Sequence, residues 1–244
     1  MRVAIVSDVH GNLVGLDACL ADLAQQGGAD VVVAAGDLCM DGPRPKKVLQ
    51  RLIEIDARCL RGNTDRFLCD PENAHGEWSD ADRKQAAWQR AQIGDKWLAW
   101  LSELPFSLRF GPADNELLVV HANPVSDDEH LWPDADEATL ERLVGSETAT
   151  AIAFGHLHLP YTRMWRGKLL ANVSSAGLPK DGDARAGYAI LTEREGGWEV
   201  KHRRVAFDVK KVATQLTDCG IPDSADLIST LRRHRYKKLK TLIP

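Results

Sequence analysis

VAIVSDVHGN, residues 3–12, is the stretch that decides the fold. Val3 to Ser7 form a short apolar run rich in β-branched side chains, which predicts a buried strand. Polar residues follow at once, Asp8 and His10, and then Asn12, a helix-capping residue. Behind it Leu13, Leu16, Leu20 and Leu23 recur on one face of a helix. VVVAAGD (31–37) repeats the pattern, with a strand at Val31 to Ala35 and Asp37 behind it. Pro45, well placed in a first helical turn, opens a helix through Val48, Leu49 and Leu52. RCLRGNTD (58–65) then predicts a third strand ending at Gly62-Asn63. Strand, helix, strand, helix, strand in this order predicts parallel strands joined by helical crossovers.

Further along, residues 78–104 read as helical, with Trp78, Trp88, Trp97, Trp100 and Leu101 on apolar faces. Strands are expected at Phe106–Phe110, Leu117–Val120, Ala151–Phe154, Tyr161–Trp165, Lys168–Asn172, Tyr188–Leu191 and Trp198–Arg204, with a helix over about 137–143. RMWRGKLL (163–170) predicts a hairpin turning at Arg166-Gly167. From Asp208 the chain reads as helical, with a break at Gly220-Ile221-Pro222. The fold class is α/β, with parallel or mixed strands early and mixed or antiparallel ones late. A single domain over 1–244 is expected, carrying a helical insertion at roughly 70–104.

Bulk properties exclude several function classes. The 244 residues carry a net charge of −4, with 44% hydrophobic and 27% charged residues, so nothing global selects an anionic membrane or nucleic acid. No apolar run approaches the ~20 residues of a spanning helix. Asp8 interrupts the N-terminal run too early for a signal peptide, so this run is read as a strand. The five cysteines are odd in number and widely spaced, which argues for reduced thiols in a cytoplasmic protein rather than disulfides or a thiolate zinc site.

The polar residues behind the strands carry the chemistry. Asp8 and His10 follow the first, Asp37 the second and Asn63 the third. His121 follows Leu117–Val120, in LLVVHAN (117–123), and His156 and His158 follow Ala151–Phe154, in AIAFGHLHLP (151–160). In open α/β sheets, ligands collect beyond the carboxyl ends of the strands. Any one of these residues alone is explained by a helix cap or a structural histidine. Seven oxygen and imidazole donors behind five strands point instead to divalent cations: Mn, Fe, Zn, Ni or Co. Seven donors exceed one tetrahedral ion and suit two ions that share a carboxylate. Such a pair stabilises in-line displacement at phosphorus, which points to phosphate ester hydrolysis.

Asp-x-His, Gly-Asp, Gly-Asn-x-Asp, His and Gly-His-x-His, in this order from Asp8 to His158, resemble the calcineurin-like metallophosphoesterases, and the start DVHGN is similar to their small bacterial and archaeal phosphodiesterases. The resemblance implies a two-sheet β-sandwich flanked by helices. It implies a first metal, manganese foremost, on Asp8, His10 and His158, and a second on Asn63, His121 and His156. Asp37 would bridge the two, and the nucleophile would be a metal-bound hydroxide. Asp37, Asn63 and His121 are the expected catalytic centre. Many family members have a histidine between the Asn and Asp of the third motif, proposed to protonate the leaving group. Here Thr64 stands there and cannot, which implies either good leaving groups, as in diesters or activated phosphates, or another proton donor, and leaves Asp65 as a helix cap.

For the substrate, a small-molecule or nucleotide phosphate ester, Asn12 and Arg66 are candidate contacts. Asn12 also fits as the cap of its own helix. Arg44 and Arg61 flank motif loops as well. His75 and His130 are expected to face water, and the basic run LRRHRYKKLK (231–240) reads as a solvated helix end, with nucleic acid the less favoured partner. The tryptophans of 78–104 are read as core rather than as walls of a substrate pocket. Rival readings are a phosphomonoesterase, phosphoprotein phosphatase or dinucleoside polyphosphate hydrolase of the same fold, a non-catalytic scaffold that binds proteins, and a β/α-barrel amidohydrolase.

Overall fold

The computed structural model describes residues 1–72 and 78–234. His75 and the part of the basic run beyond residue 234 lie outside the described residues. The first half of the chain alternates β1 (Arg2–Val6), α1 (Leu13–Gln25), β2 (Val31–Ala35), α2 (Pro45–Glu54) and β3 (Arg58–Leu60). The helices α3 (Asn63–Cys69), α4 (Asp80–Ile93) and α5 (Asp95–Ser102) come next. Then β4 (Ser107–Phe110), β5 (Leu117–Val120), α6 (Glu137–Val144), β6 (Ala151–Phe154), β7 (Tyr161–Trp165) and β8 (Lys168–Asn172) follow. The described chain ends with β9 (Ala186–Arg194), β10 (Gly197–Val205), α7 (Val209–Asp218) and α8 (Ser224–Arg233).

These strands form two mixed sheets of five. One has the order β10-β9-β1-β2-β3, the other β4-β5-β6-β8-β7. In the first, β1, β2 and β3 run parallel, while β9 lies antiparallel to β1 and β10 to β9. The second is the mixed case of the late strands: β5, β6 and β8 run parallel, and the antiparallel pairs are β4–β5 and β7–β8. The reason is connection length. A helix separates β5 from β6 and a whole strand separates β6 from β8, so each return crosses over and re-enters in the same sense. The expected hairpin at Arg166-Gly167 is present, with φ of 46° and 79° at the two turn residues.

Strand alternation assigns the faces. In β1, Val3 and Ile5 point between the sheets, where they meet Leu117 and Val119 of β5 and Ala151 and Ala153 of β6. Ala4 and Val6 point the other way, under α1, α2 and the α3–α5 segment. On the far side Leu118, Val120, Ile152 and Phe154 pack beneath Leu140, Leu143 and Val144 of α6. The result is four layers, helix–sheet–sheet–helix, with period-2 burial on both sheets. A barrel amidohydrolase is excluded, because the strands do not close on themselves.

The helical stretch 78–104 is two helices, broken at Gly94, whose φ of 78° an L-side chain would resist. Trp78 precedes the first of them and lies face to face on Phe67, with ring centroids 3.9 Å apart. Trp88 joins the apolar cluster of α7 and α8.

Candidate metal centre

Parallel strands end on one side. The carboxyl ends of β1, β2 and β3 in one sheet and of β5 and β6 in the other meet at a single edge of the sandwich. Backbone hydrogen bonds stitch the loops there: Asp8 N–H to Gly36 O (3.0 Å), His10 N–H to Asp37 O (2.9 Å), and Gly155 N–H to His121 O (2.8 Å). The His156 N–H donates to Asp8 Oδ2 (2.9 Å), joining a β6 loop to a β1 loop across the two sheets. Five of the seven strand-end residues hold left-handed backbone: Asp8, His10, Asp37, His156 and His158, with φ between 47° and 64°. Such geometry costs roughly 1–2 kcal/mol per non-glycine residue, and it persists where surrounding structure over-determines it.

Two groups of side chains result. Asp8, His10 and His158 converge in one, and Asp37, His121 and His156 in the other, the ligand atoms within each lying inside 4.8 Å of one another. Asp37 faces both: Oδ1 lies 3.4 Å from His121 Nε2, and Oδ2 lies 3.8 Å from His10 Nε2. Asn63 Oδ1 lies 3.1 Å from His121 Nε2, on the second side. The structure therefore brings all seven strand-end residues to one place.

Hydrogen bonding identifies which atoms face inward. His10 Nδ1 donates to Met40 O (2.9 Å), His121 Nδ1 to Ala35 O (2.8 Å), and His158 Nδ1 to Leu178 O. Carbonyls only accept, so each ring carries a proton on Nδ1 and turns Nε2 inward. His156 is reversed: Nε2 donates to Asp128 O (2.9 Å), leaving Nδ1 for the centre. Acceptors consequently face acceptors. His10 Nε2 and His158 Nε2 are 3.3 Å apart, and Asp8 Oδ1, which has no hydrogen-bond partner, is 3.2 Å from His158 Nε2. Lone pairs in this arrangement require a proton or a cation between them. An ion holding each atom at about 2.1 Å sets neighbouring ligands about 3 Å apart, so the residues fit divalent cations.

The electrostatics describe the same site. Burial alone would raise Asp8, but His158 and His121 bring its carboxyl to about 2. Asp37 is held well below the usual carboxylate range, burial being outweighed by His121 and His10. His121 is opposed by burial but raised to about 10 by the Asp37 and Asp8 carboxylates. His156 falls to about 3 through burial and the neighbouring His121 and His130.

A cavity of about 280 Å³ opens over the centre, lined by His10, Asp37, Asn63, His156 and His158 and by residues that the strand-end pattern did not mark. These are Asp41, Thr64, Trp78, Asp128, His130 and Lys180. His130 corrects the expectation that it faces water. It is half-buried, stacks on Trp132 (5.3 Å, 7°), and its ring centroid lies 4.4 Å from that of His156. Trp78 is a pocket wall as well as a packing residue, which corrects its reading as core alone. Thr64 presents a buried hydroxyl without a hydrogen-bond partner.

Asn12 spends its side chain on the fold: Oδ1 accepts from Gly15 N–H (3.0 Å) as a helix cap, and Nδ2 donates to Gly177 O (2.8 Å). Arg66 lies outside the cavity lining and grips Asp127 through Nε (2.8 Å) and Nη2 (3.1 Å). Arg61 donates to Ser102 O (3.2 Å), and Arg44 is exposed. Asp65 exceeds its expected role as a cap, accepting from both Leu38 N–H (3.0 Å) and Gly62 N–H (3.2 Å).

With fold and site in view, the comparisons assign the class. A calcineurin-like phosphoesterase superfamily domain matches residues 1–196, and the chain belongs to that family. It is similar to a metallophosphoesterase from Sphaerobacter thermophilus, at 26% identity over 96% of this chain and 99% of that one, with a TM-score of 0.78. A hypothetical protein from Pyrococcus horikoshii shares the fold at 19% identity and a TM-score of 0.83, over 96% and 98% of the two chains. An uncharacterised protein of Methanocaldococcus jannaschii is 25% identical over 91% of this chain and 94% of its own length. No helix among the described residues is long and apolar enough to cross a membrane.

Proposed function

We propose that the protein hydrolyses phosphate esters, favouring phosphodiesters or activated phosphates, with two divalent cations, manganese foremost. The observation that carries this reading is the division of Asp37 between two ligand groups, one carboxylate oxygen facing each. Asp8, His10 and His158 would hold one ion, Asn63, His121 and His156 the other, and Asp37 both. Bound there, the pair would supply Lewis acidity, an activated water and a net positive charge that the Asp8 and Asp37 carboxylates only half neutralise.

The chain's own residues do the rest. The Thr64 N–H donates to Asp37 Oδ1 (3.0 Å) and steadies the shared carboxylate. Lys180 adds a cation to the cavity lining, suited to a phosphate oxygen. The Thr64 hydroxyl does not protonate a leaving group near neutral pH. General acid catalysis is worth roughly 10²- to 10⁴-fold, so substrates whose leaving group departs readily as an anion are favoured. The complete donor set supports an enzyme rather than a scaffold, which has no need of it.

The test is turnover of bis(p-nitrophenyl) phosphate with added Mn²⁺, beside Asp37→Ala. Metal-dependent turnover should fall by about 10² or more in the variant, as when one electrostatic stabiliser is removed. Turnover without metal, or undiminished turnover in the variant, refutes the reading.

A further inference from the structure

The segment 123–132 crosses the second ligand group as a strap with its own internal framework. Asn123 Oδ1 accepts from Val125 N–H and Ser126 N–H (both 2.9 Å), and its Nδ2 donates to Glu129 O (2.7 Å). Ser126 Oγ accepts from Asp128 N–H and Glu129 N–H (both 3.1 Å). Two arginines latch it to the body. Arg66 of α3 holds Asp127 with two hydrogen bonds, and Arg142 of α6 holds Glu129 the same way.

On its inner side one residue touches two of the candidate ligands. Asp128 Oδ1 accepts from Asn63 Nδ2 (3.0 Å), and the Asp128 carbonyl accepts from His156 Nε2 (2.9 Å). Each contact decides an ambiguity. An Asn amide can present oxygen or nitrogen to the centre. The carboxylate acceptor takes the NH₂ and turns Oδ1 toward His121 Nε2. An imidazole can coordinate through either nitrogen, and the carbonyl takes the Nε2 proton, leaving the Nδ1 lone pair for the ion. Groups that orient ligands in this way typically change metal affinity by about 10- to 100-fold when removed.

We propose that the Asp128 carboxylate is a positioning group of the second cation site, selecting the ligand atom of Asn63 while the backbone carbonyl of the same residue selects that of His156. This rests on the dimetal reading above, and the experiment separates the two. Mn²⁺ is titrated into metal-free full-length protein, followed by calorimetry and by electron paramagnetic resonance. The wild type should bind two ions and show the spectrum of a coupled Mn pair. Asp128→Ala, which removes the carboxylate from Asn63 and keeps the carbonyl on His156, should bind the first ion as before and the second about 10- to 100-fold more weakly, with an uncoupled Mn spectrum at the same loading. Asp128→Asn, which keeps an acceptor oxygen, should restore both.

If Asp128→Ala does not fold by circular dichroism, Asp127→Ala takes its place. It releases the Arg66 latch, leaves Asp128 present, and should weaken the second ion in the same direction. Wild-type affinity for the second ion in a folded variant overturns the proposal. A wild-type protein that binds fewer than two ions overturns the dimetal reading and this proposal with it.

Discussion

His121 shows what the site does before any cation arrives. Its imidazole is buried, which opposes charge, yet Asp37 and Asp8 raise it to about 10. The raised value favours a second proton, on the Nε2 that a metal would need. Cation binding must expel that proton. Calorimetric titration with Mn²⁺ at pH 7.5, in buffers of different ionisation enthalpy, should report release of about one proton or more per chain. His121→Ala should lower that number, and a release of zero in the wild type would contradict the assignment. Arg66 teaches a different lesson at this scale. Its place just behind the third motif suggested a phosphate ligand, but its partner Asp127 lies 61 positions downstream. Nothing local in the sequence announces that pairing.

At the scale of elements, the site depends on how closely strand-end loops approach. Gly62, between β3 and α3, leaves no room for a side chain. A Cβ there would stand 2.2 Å from Asp37 Oδ1 and 2.4 Å from Asp37 N. Gly62→Ala should displace the shared carboxylate and destabilise the fold by about 1–3 kcal/mol, as overpacking does. Urea unfolding of the metal-free protein measures the stability term, and Mn²⁺ titration measures the displacement. Elements were legible where the apolar runs were short and bounded, as in β1, β2, β5 and β6. The break at Gly94 was less so, because apolar positions recur on both sides of it. The parallel pairing of β5, β6 and β8 was also hidden, since hydrophobic period reports burial and not strand direction.

Across the whole molecule, α1 is tied to the antiparallel half of the first sheet. Asp22 accepts from Arg203 Nε (2.9 Å) and Nη2 (2.8 Å) on β10 and from the Tyr188 hydroxyl (2.8 Å) on β9. The Arg203 hydrogen bonds, then that of Tyr188, outweigh burial and hold the Asp22 carboxyl below its ordinary value. A depressed folded-state pKa stabilises at pH above the unfolded value of about 3.9. That contribution disappears as pH falls through the folded value. Asp22→Asn should therefore lower stability near neutrality and lose less of it below about pH 4. Thermal melts from pH 7 to pH 3 should show the two proteins converging at the acid end; parallel curves would contradict the linkage.

The chain order of strands and the polar residues directly behind them could be read without coordinates, because β-strand burial and strand-end chemistry are written in consecutive residues. That was enough for the family, the layered fold and the seven donors that the structure gathers. Asp41, Trp78, Asp128, His130 and Lys180 belong to loops whose position depends on packing between distant segments. Which ring nitrogen faces the centre depends likewise on carbonyls contributed from elsewhere, Met40, Ala35, Leu178 and Asp128. A hydrogen bond between residues far apart in the chain leaves no local pattern, so only the folded arrangement could select those atoms.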